Sequence, residues 1–204
     1  MIAIVDYGSG NVAAIANVLK QLKLPHLITR ELVELKSSDC YILPGVGAFD
    51  TTMRTLKNSG LIELLNEEVC GKGKKIMGVC VGMQILGDSS EEGILPGLGW
   101  IPGHIRRIDP SKINRLPKLP QMGWNSVHIK NSSPLFNDVD PDRGFYFLHS
   151  YYFDAKNSEN ILATVDYGII FPCVVSSGNV FGFQFHPEKS HSNGVAVFRN
   201  FSLI

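Results

Sequence analysis

Short apolar runs alternate with turn residues along the first 86 positions. Ile2–Val5, His26–Thr29, Cys40–Leu43 and Ile76–Val79 have the length and continuity of strands buried on both faces. Val12, Ile15, Val18, Leu19 and Leu22 recur at helical spacing, and so does the stretch Phe49–Val69, with Gly60 as its break. Gly82–Leu86 also reads as helix. The order β-α-β-β-α-β-α predicts a mostly parallel sheet covered by helices on both faces, with ligands bound beyond the carboxyl ends of its strands.

The texture changes after Leu86. Asp88–Gly103 and Asp109–Gln121 read as loops rich in Gly, Pro or acid. Between and beyond them short strands alternate with turns: Ile105–Ile108, Ser126–Ile129, Phe145–Leu148, Ile161–Val165, Ile169–Ser176 and Val180–Phe185. Val195, Val197, Phe198 and Phe201 mark a last helix over Gly194–Leu203, with Asn193 as its expected N-cap. No repeat or linker interrupts the chain. The expectation is an α/β fold in one domain, residues 1–204, whose second half adds antiparallel strands.

Charge narrows the function classes. Nineteen basic and nineteen acidic residues cancel, without a Lys/Arg cluster, which argues against nucleic acid as a partner. No apolar run reaches membrane-spanning length, and Met1–Val5 is too short for a signal peptide. Cys40, Cys70, Cys80 and Cys173 lack paired spacing, so reduced thiols in a cytoplasmic protein are expected, with neither zinc nor disulfides.

Three motifs carry chemistry. In Gly78-Val-Cys-Val-Gly82 a cysteine sits between glycines where a strand turns into a helix, the pattern of a nucleophile elbow. The helix N-terminus beyond it favours thiolate over thiol. Pro44-Gly-Val-Gly47 ends a strand in a rigid loop able to offer N–H groups to an oxyanion. In His186-Pro-Glu188 the alternation of a strand places imidazole and carboxylate on one side, so that Glu188 orients a base for Cys80. Other signals are weaker. Gly8-x-Gly10-x-x-Ala13 with Glu31 satisfies a loose dinucleotide fingerprint that any tight βα turn also produces. Lys72, Lys74 and Lys75 lack the Walker spacing. His191 lies near His186 without further ligands, so no metal is expected.

Together, Pro44–Gly47, Gly78–Gln84 and Gln184–Glu188 resemble the class I (triad-type) glutamine amidotransferases, with their flavodoxin-like fold. Asp6-Tyr-Gly-Ser-Gly-Asn11, Met122-Gly-Trp-Asn125 and Phe185–Ser190 narrow the resemblance to the glutaminase subunits of imidazole glycerol phosphate synthases, over nearly the whole chain. The resemblance implies that Cys80 attacks the side-chain amide of L-glutamine to form a γ-glutamyl thioester. His186 would move the proton and Glu188 would orient it. The backbone N–H of Val81, with Val46 or Gly47, would form the oxyanion hole. Gln84 and the segment His149, Ser150 and Tyr151 would hold the substrate. It implies no cofactor, assigns Gly8–Asn11 to a loop near a partner-facing side, and leaves no length for an ammonia acceptor. The expected partner is therefore a (β/α)₈ barrel cyclase in a heterodimer, making imidazole glycerol phosphate and AICAR for histidine biosynthesis.

Four departures leave the acceptor open. Gln121 stands where the family usually has His, and Val81 where Leu is common. Trp100 and His191 look more like a paralogous branch that amidates surface-polysaccharide sugars. A standalone γ-glutamyl hydrolase and a regulatory subunit with a decayed site are further alternatives. The Met122–Asn125 motif counts against the first and the complete Cys-His-Glu set against the second.

Overall fold

A computed structural model describes residues 1–204. In chain order the elements are β1 (Ile2–Val5), α1 (Val12–Gln21), β2 (His26–Thr29), α2 (Leu32–Ser37), β3 (Cys40–Gly45), α3 (Phe49–Asn58) and α4 (Ile62–Leu65). A wide π turn, Asn66–Gly71, leads into β4 (Lys75–Cys80), α5 (Val81–Gln84) and β5 (Ser89–Ser90). The second half comprises β6 (Gly103–Arg107), β7 (Gln121–Asn125), β8 (His128–Ile129), β9 (Phe145–His149), β10 (Tyr151–Ala155), β11 (Ile161–Asp166), β12 (Ile170–Ser177), β13 (Val180–Phe183) and α6 (His191–Leu203).

Eight strands form the main sheet in the order β2-β1-β3-β4-β13-β12-β11-β8. The first five run parallel and the last three are added antiparallel. A 2-1-3-4-5 order, with β13 as the fifth strand, is the flavodoxin-like version of the doubly wound sheet. Both faces are covered, so β1, β3 and β4 are buried nearly end to end. On α3, Phe49, Thr52, Met53 and Leu56 form the buried stripe that packs down on this sheet. Two small sheets, β10-β6-β5 and β7-β9, accompany the main sheet.

Several expectations need correction. Helix α2 has no sequence counterpart because its pattern is inverted: Leu35 is buried while Leu32 and Val33 face water. The same inversion hides β7, whose Met122 and Trp124 are exposed, so the Ser126–Ile129 strand shrinks to β8. Strand β10 buries only Phe153. Gly82–Leu86 yields a single turn, α5, too short for a substantial helix dipole. Asn193 is no N-cap. The last helix begins at His191, and buried Asn193 instead accepts from the Asp140 N–H and donates to the carbonyls of Asp140 and Gly144. No helix is long and apolar enough to cross a membrane.

Candidate active site

The register of the central strands brings the three motifs together. Gly45 of β3 lies opposite Cys80 of β4, and Phe183 of β13 lies opposite Val79. The Pro44–Gly47 loop and the segment after Phe183 therefore flank Cys80 at the carboxyl edge of the sheet.

Cys80 has φ 57° and ψ −114°, a conformation that a side chain adopts only where the surroundings impose it. The flanking glycines impose it by removing side chains. A Cβ on Gly82 would meet the Leu43 carbonyl oxygen at 2.0 Å, and one on Gly78 would meet the Gly82 oxygen at 2.5 Å. The thiol is buried, and its one hydrogen-bond contact runs to the Leu148 carbonyl at 3.9 Å.

His186 Nδ1 donates to Glu188 Oε1 at 2.9 Å, which fixes the tautomer and leaves Nε2 without a partner within the chain. The alternation of a strand is not the cause, because β13 ends at Phe183. His186 caps a 3₁₀ turn, Pro187–Lys189, that carries Glu188 back beneath the ring. The imidazole is anchored through its backbone, with His186 N–H on the Tyr146 carbonyl at 2.9 Å and Ser190 Oγ on the His186 carbonyl at 2.6 Å. Burial opposes the imidazolium, but the adjacent Cys80 sulfur and Glu188 carboxylate outweigh it and raise the His186 pKa from 6.5 to about 10. Glu188 Oε2 is buried and has no partner.

These groups open on a cavity of about 310 Å³ lined also by Val46, Gly47, Val81, Gln84 and His149–Tyr151. The structure thus gathers the sequence-predicted site residues around one pocket, except Glu188, which stands behind His186 and does not line it. Three backbone donors differ in their present use. Val81 is the first residue of α5, so its N–H has no intrahelical acceptor. Gly47, at φ 92°, has an N–H with no partner in the chain. The Val46 N–H is occupied by Ser9 Oγ at 3.2 Å. Tyr7 adds a hydrogen bond from its hydroxyl to the Pro44 carbonyl. The glycine turn Gly8–Asn11 is therefore a support for the Pro44–Gly47 loop.

Polar groups of the pocket wall are held in fixed orientations. His149 Nδ1 donates to the Tyr151 carbonyl at 2.8 Å, and burial lowers its pKa from 6.5 to about 4, keeping the ring neutral. Gln84 Nε2 donates to the same carbonyl at 3.0 Å and to Gln184 Oε1 at 3.1 Å. Glu92, Pro120 and Lys189 also line the cavity and escaped the sequence reading. Glu92 arrives there because its Oε2 accepts the Phe49 N–H at 2.7 Å while Asp50 accepts the N–H groups of Ile94 and Leu95. The pair Glu91-Glu92 in a loop after the elbow was the available signal, and a faint one. No three His, Cys, Asp or Glu side chains converge as metal ligands would.

Comparison with known proteins places this geometry. The glutamine amidotransferase class-I family profile matches residues 3–204. The chain is 48% identical to the imidazole glycerol phosphate synthase subunit HisH of Leptospira interrogans, with all of both chains covered. It is 47% identical to the subunit of the same name from Bdellovibrio bacteriovorus, again over the whole of both, and 40% identical to that of Bacillus subtilis, covering 99% of this chain and 95% of that one. Among solved structures, a crystal structure of a glutamine amidotransferase aligns with TM-score 0.71 at 18% identity, over 98% of this chain and 96% of that one. The structure of PurLQS from Thermotoga maritima aligns with TM-score 0.70 at 19% identity, over 99% and 97%. Those two likenesses speak to the fold, and the family profile with the close relatives to the lineage: the chain belongs to the class I glutamine amidotransferases.

Proposed function

We propose that this chain is the glutaminase subunit of an imidazole glycerol phosphate synthase, a cytoplasmic amidotransferase domain over residues 1–204. It hydrolyses L-glutamine to glutamate and hands the ammonia to a (β/α)₈ cyclase partner, which makes imidazole glycerol phosphate and AICAR in histidine biosynthesis. The observation that carries the chemistry is Cys80, strained on its elbow beside an imidazole whose Nε2 is free and whose Nδ1 is held by Glu188. The full-length similarity to subunits of that synthase supports the pathway.

In this reading His186, whose pKa of about 10 keeps it protonated, already holds the thiol proton as an imidazolium when the Cys80 sulfur attacks the amide carbon of the substrate. The oxyanion forms against the Val81 N–H and one from Gly47, or from Val46 once Ser9 releases it. Each such donor contributes on the order of 10²–10³ in rate. Collapse expels ammonia, which leaves with the proton from His186, and a γ-glutamyl thioester remains on Cys80. Water then attacks the thioester, giving its proton to His186, and the departing thiolate restores the resting pair with the imidazolium. Glu188 holds the imidazolium throughout without becoming protonated. Gln84 and His149–Tyr151 grip the remote end of the substrate.

Ammonia released into water near neutral pH becomes ammonium and is lost as a nucleophile, so a docked acceptor enzyme is required. The test mixes the purified chain with candidate barrel synthases and their acceptor substrates. Activation of glutamine hydrolysis by the cyclase of histidine biosynthesis is the expected result. Activation by a sugar-amidating synthase in its place would move the acceptor, and turnover that ignores every partner would point to a standalone hydrolase.

A further inference from the structure

Gln184 lies on the segment between β13 and His186, is fully buried, and does not line the cavity. Its backbone N–H is tied to the Cys173 carbonyl at 2.9 Å, and its side chain points across to Gln84. The polarity of this amide pair is forced. The Tyr151 carbonyl can only accept, so the Gln84 atom beside it must be the amide nitrogen. The Gln184 atom facing that same nitrogen must then be its oxygen. Both N–H groups of Gln84 are consumed, one by Tyr151 and one by Gln184. The hydrogen bonds of the Gln84 side chain both run through Nε2, which leaves Oε1 without a partner in the chain, and Gln84 lines the pocket. Gln184 Nε2, in contrast, is turned into the interior with no acceptor at all.

A buried donor without a partner is costly, and buried polar groups in folded proteins are nearly always satisfied. Apolar packing would avoid that cost, so the amide at position 184 needs a reason outside stability. Its one hydrogen bond supplies it. We propose that Gln184 is a positioning residue for substrate recognition: it locks the Gln84 amide so that the pocket receives an acceptor oxygen, which takes an N–H of the α-ammonium group of glutamine. Gln84 ends α5, four residues beyond Cys80, and lines the same cavity as Cys80. That places its oxygen at the remote, α-amino end of a substrate whose amide carbon sits at Sγ. Glu92, a carboxylate on the same cavity, adds the negative charge that an ammonium group requires. This inference rests on the glutaminase reading above.

The test compares L-glutamine with glutaramate, its analogue without the α-amino group, in steady-state hydrolysis by the activated complex. In Gln184→Met, of similar volume but unable to accept, Gln84 is free to rotate. The KM for L-glutamine is expected to rise about tenfold, the loss of one hydrogen bond to a charged group. Its kcat should stay within about twofold and glutaramate kinetics should not change, so discrimination between the two shrinks. Gln184→Glu, which keeps an acceptor opposite Gln84, should restore the wild-type ratio. If Gln184→Met does not fold, Gln184→Asn, too short to reach Gln84, reads the same ratio. Equal losses for both substrates, or an unchanged ratio, would overturn the positioning role. Iodoacetamide alkylation of Cys80 and its pH profile, unchanged in these variants, keep the two claims apart: wild-type turnover that survives Cys80→Ala would sink the glutaminase reading itself.

Discussion

Two glutamate side chains are buried in this molecule, one at each end of the sheet, and their surroundings are opposite. Glu68, in the π turn before β4, has a side chain with no exposure. Lys72 holds one of its oxygens at 2.6 Å and Lys74 the other at 2.6 Å, with the Tyr41 hydroxyl at 3.5 Å. Glu188, at the carboxyl edge, has a side chain only 1% exposed, holds one imidazole through Oε1, and leaves Oε2 bare. The first is a closed ion pair. Lys72 and then Lys74 draw its pKa below the usual carboxylate value. The second is an open one, whose partner changes charge during turnover in the proposed mechanism. A buried acid fully matched by permanent cations fixes structure, whereas one matched by a titrating base and left partly unsatisfied serves a reaction.

The contrast breaks most visibly if the two acids are neutralised in turn. Glu188→Gln keeps the shape but loses the carboxylate that steadies the imidazolium. Glutamine turnover should fall by about 10³–10⁴, while the melting temperature of the variant stays near that of wild type. Glu68→Gln should do the reverse. Lys72 and Lys74 keep some contact with water and can retreat into it, so the loss is about 1–3 kcal/mol. A chain of this size should then melt several degrees lower. Glutaminase kinetics would stay within about twofold. Equal damage to activity from both substitutions would erase the distinction.

A smaller effect concerns pH. His149 has a folded pKa of about 4 against 6.5 unfolded, so the unfolded chain binds more protons between those values. Its contribution to stability is present above pH 6.5 and lost as the pH falls toward 4. His186 runs the other way. With a folded pKa raised to about 10, its contribution is complete below pH 6.5 and fades as the pH rises through 10. Glu68, with a depressed pKa, adds stability above its unfolded value of 4.5 that is lost in acid. Denaturant titrations across this range should show a plateau near pH 6–7. In His149→Gln the acid limb of that plateau should flatten, and a limb unchanged by the substitution would assign the acid loss elsewhere.

How much of this could be seen in the sequence follows from which interactions are local. The elbow around Cys80, the Pro44–Gly47 loop and the His186–Glu188 pair are short motifs whose geometry is set by glycine, proline and neighbours within a few residues, and all three were legible. The parallel half of the sheet was legible because burial on both faces writes itself as unbroken apolar runs. The small sheets were not. Strand β7 shows Met122 and Trp124 to water, so its pattern contradicts its position. Glu92 and Gln184 depend on contacts with Phe49 and Gln84, far away along the chain. No local pattern reports such a meeting.

The account stands on Cys80 as the activated nucleophile, and its four thiols offer an internal control. All four are free; Cys70 is exposed, while Cys80, Cys40 and Cys173 are buried. The direct measurement is labelling with 6-diazo-5-oxo-L-norleucine, a glutamine analogue that alkylates the attacking group, followed by peptide mass mapping. Accessibility alone would favour Cys70. The account predicts one label per chain, on the peptide carrying Cys80, blocked by L-glutamine and lost in Glu188→Gln at matched times. Labelling of Cys70 ahead of Cys80, or of Cys80 without protection by glutamine, would contradict it.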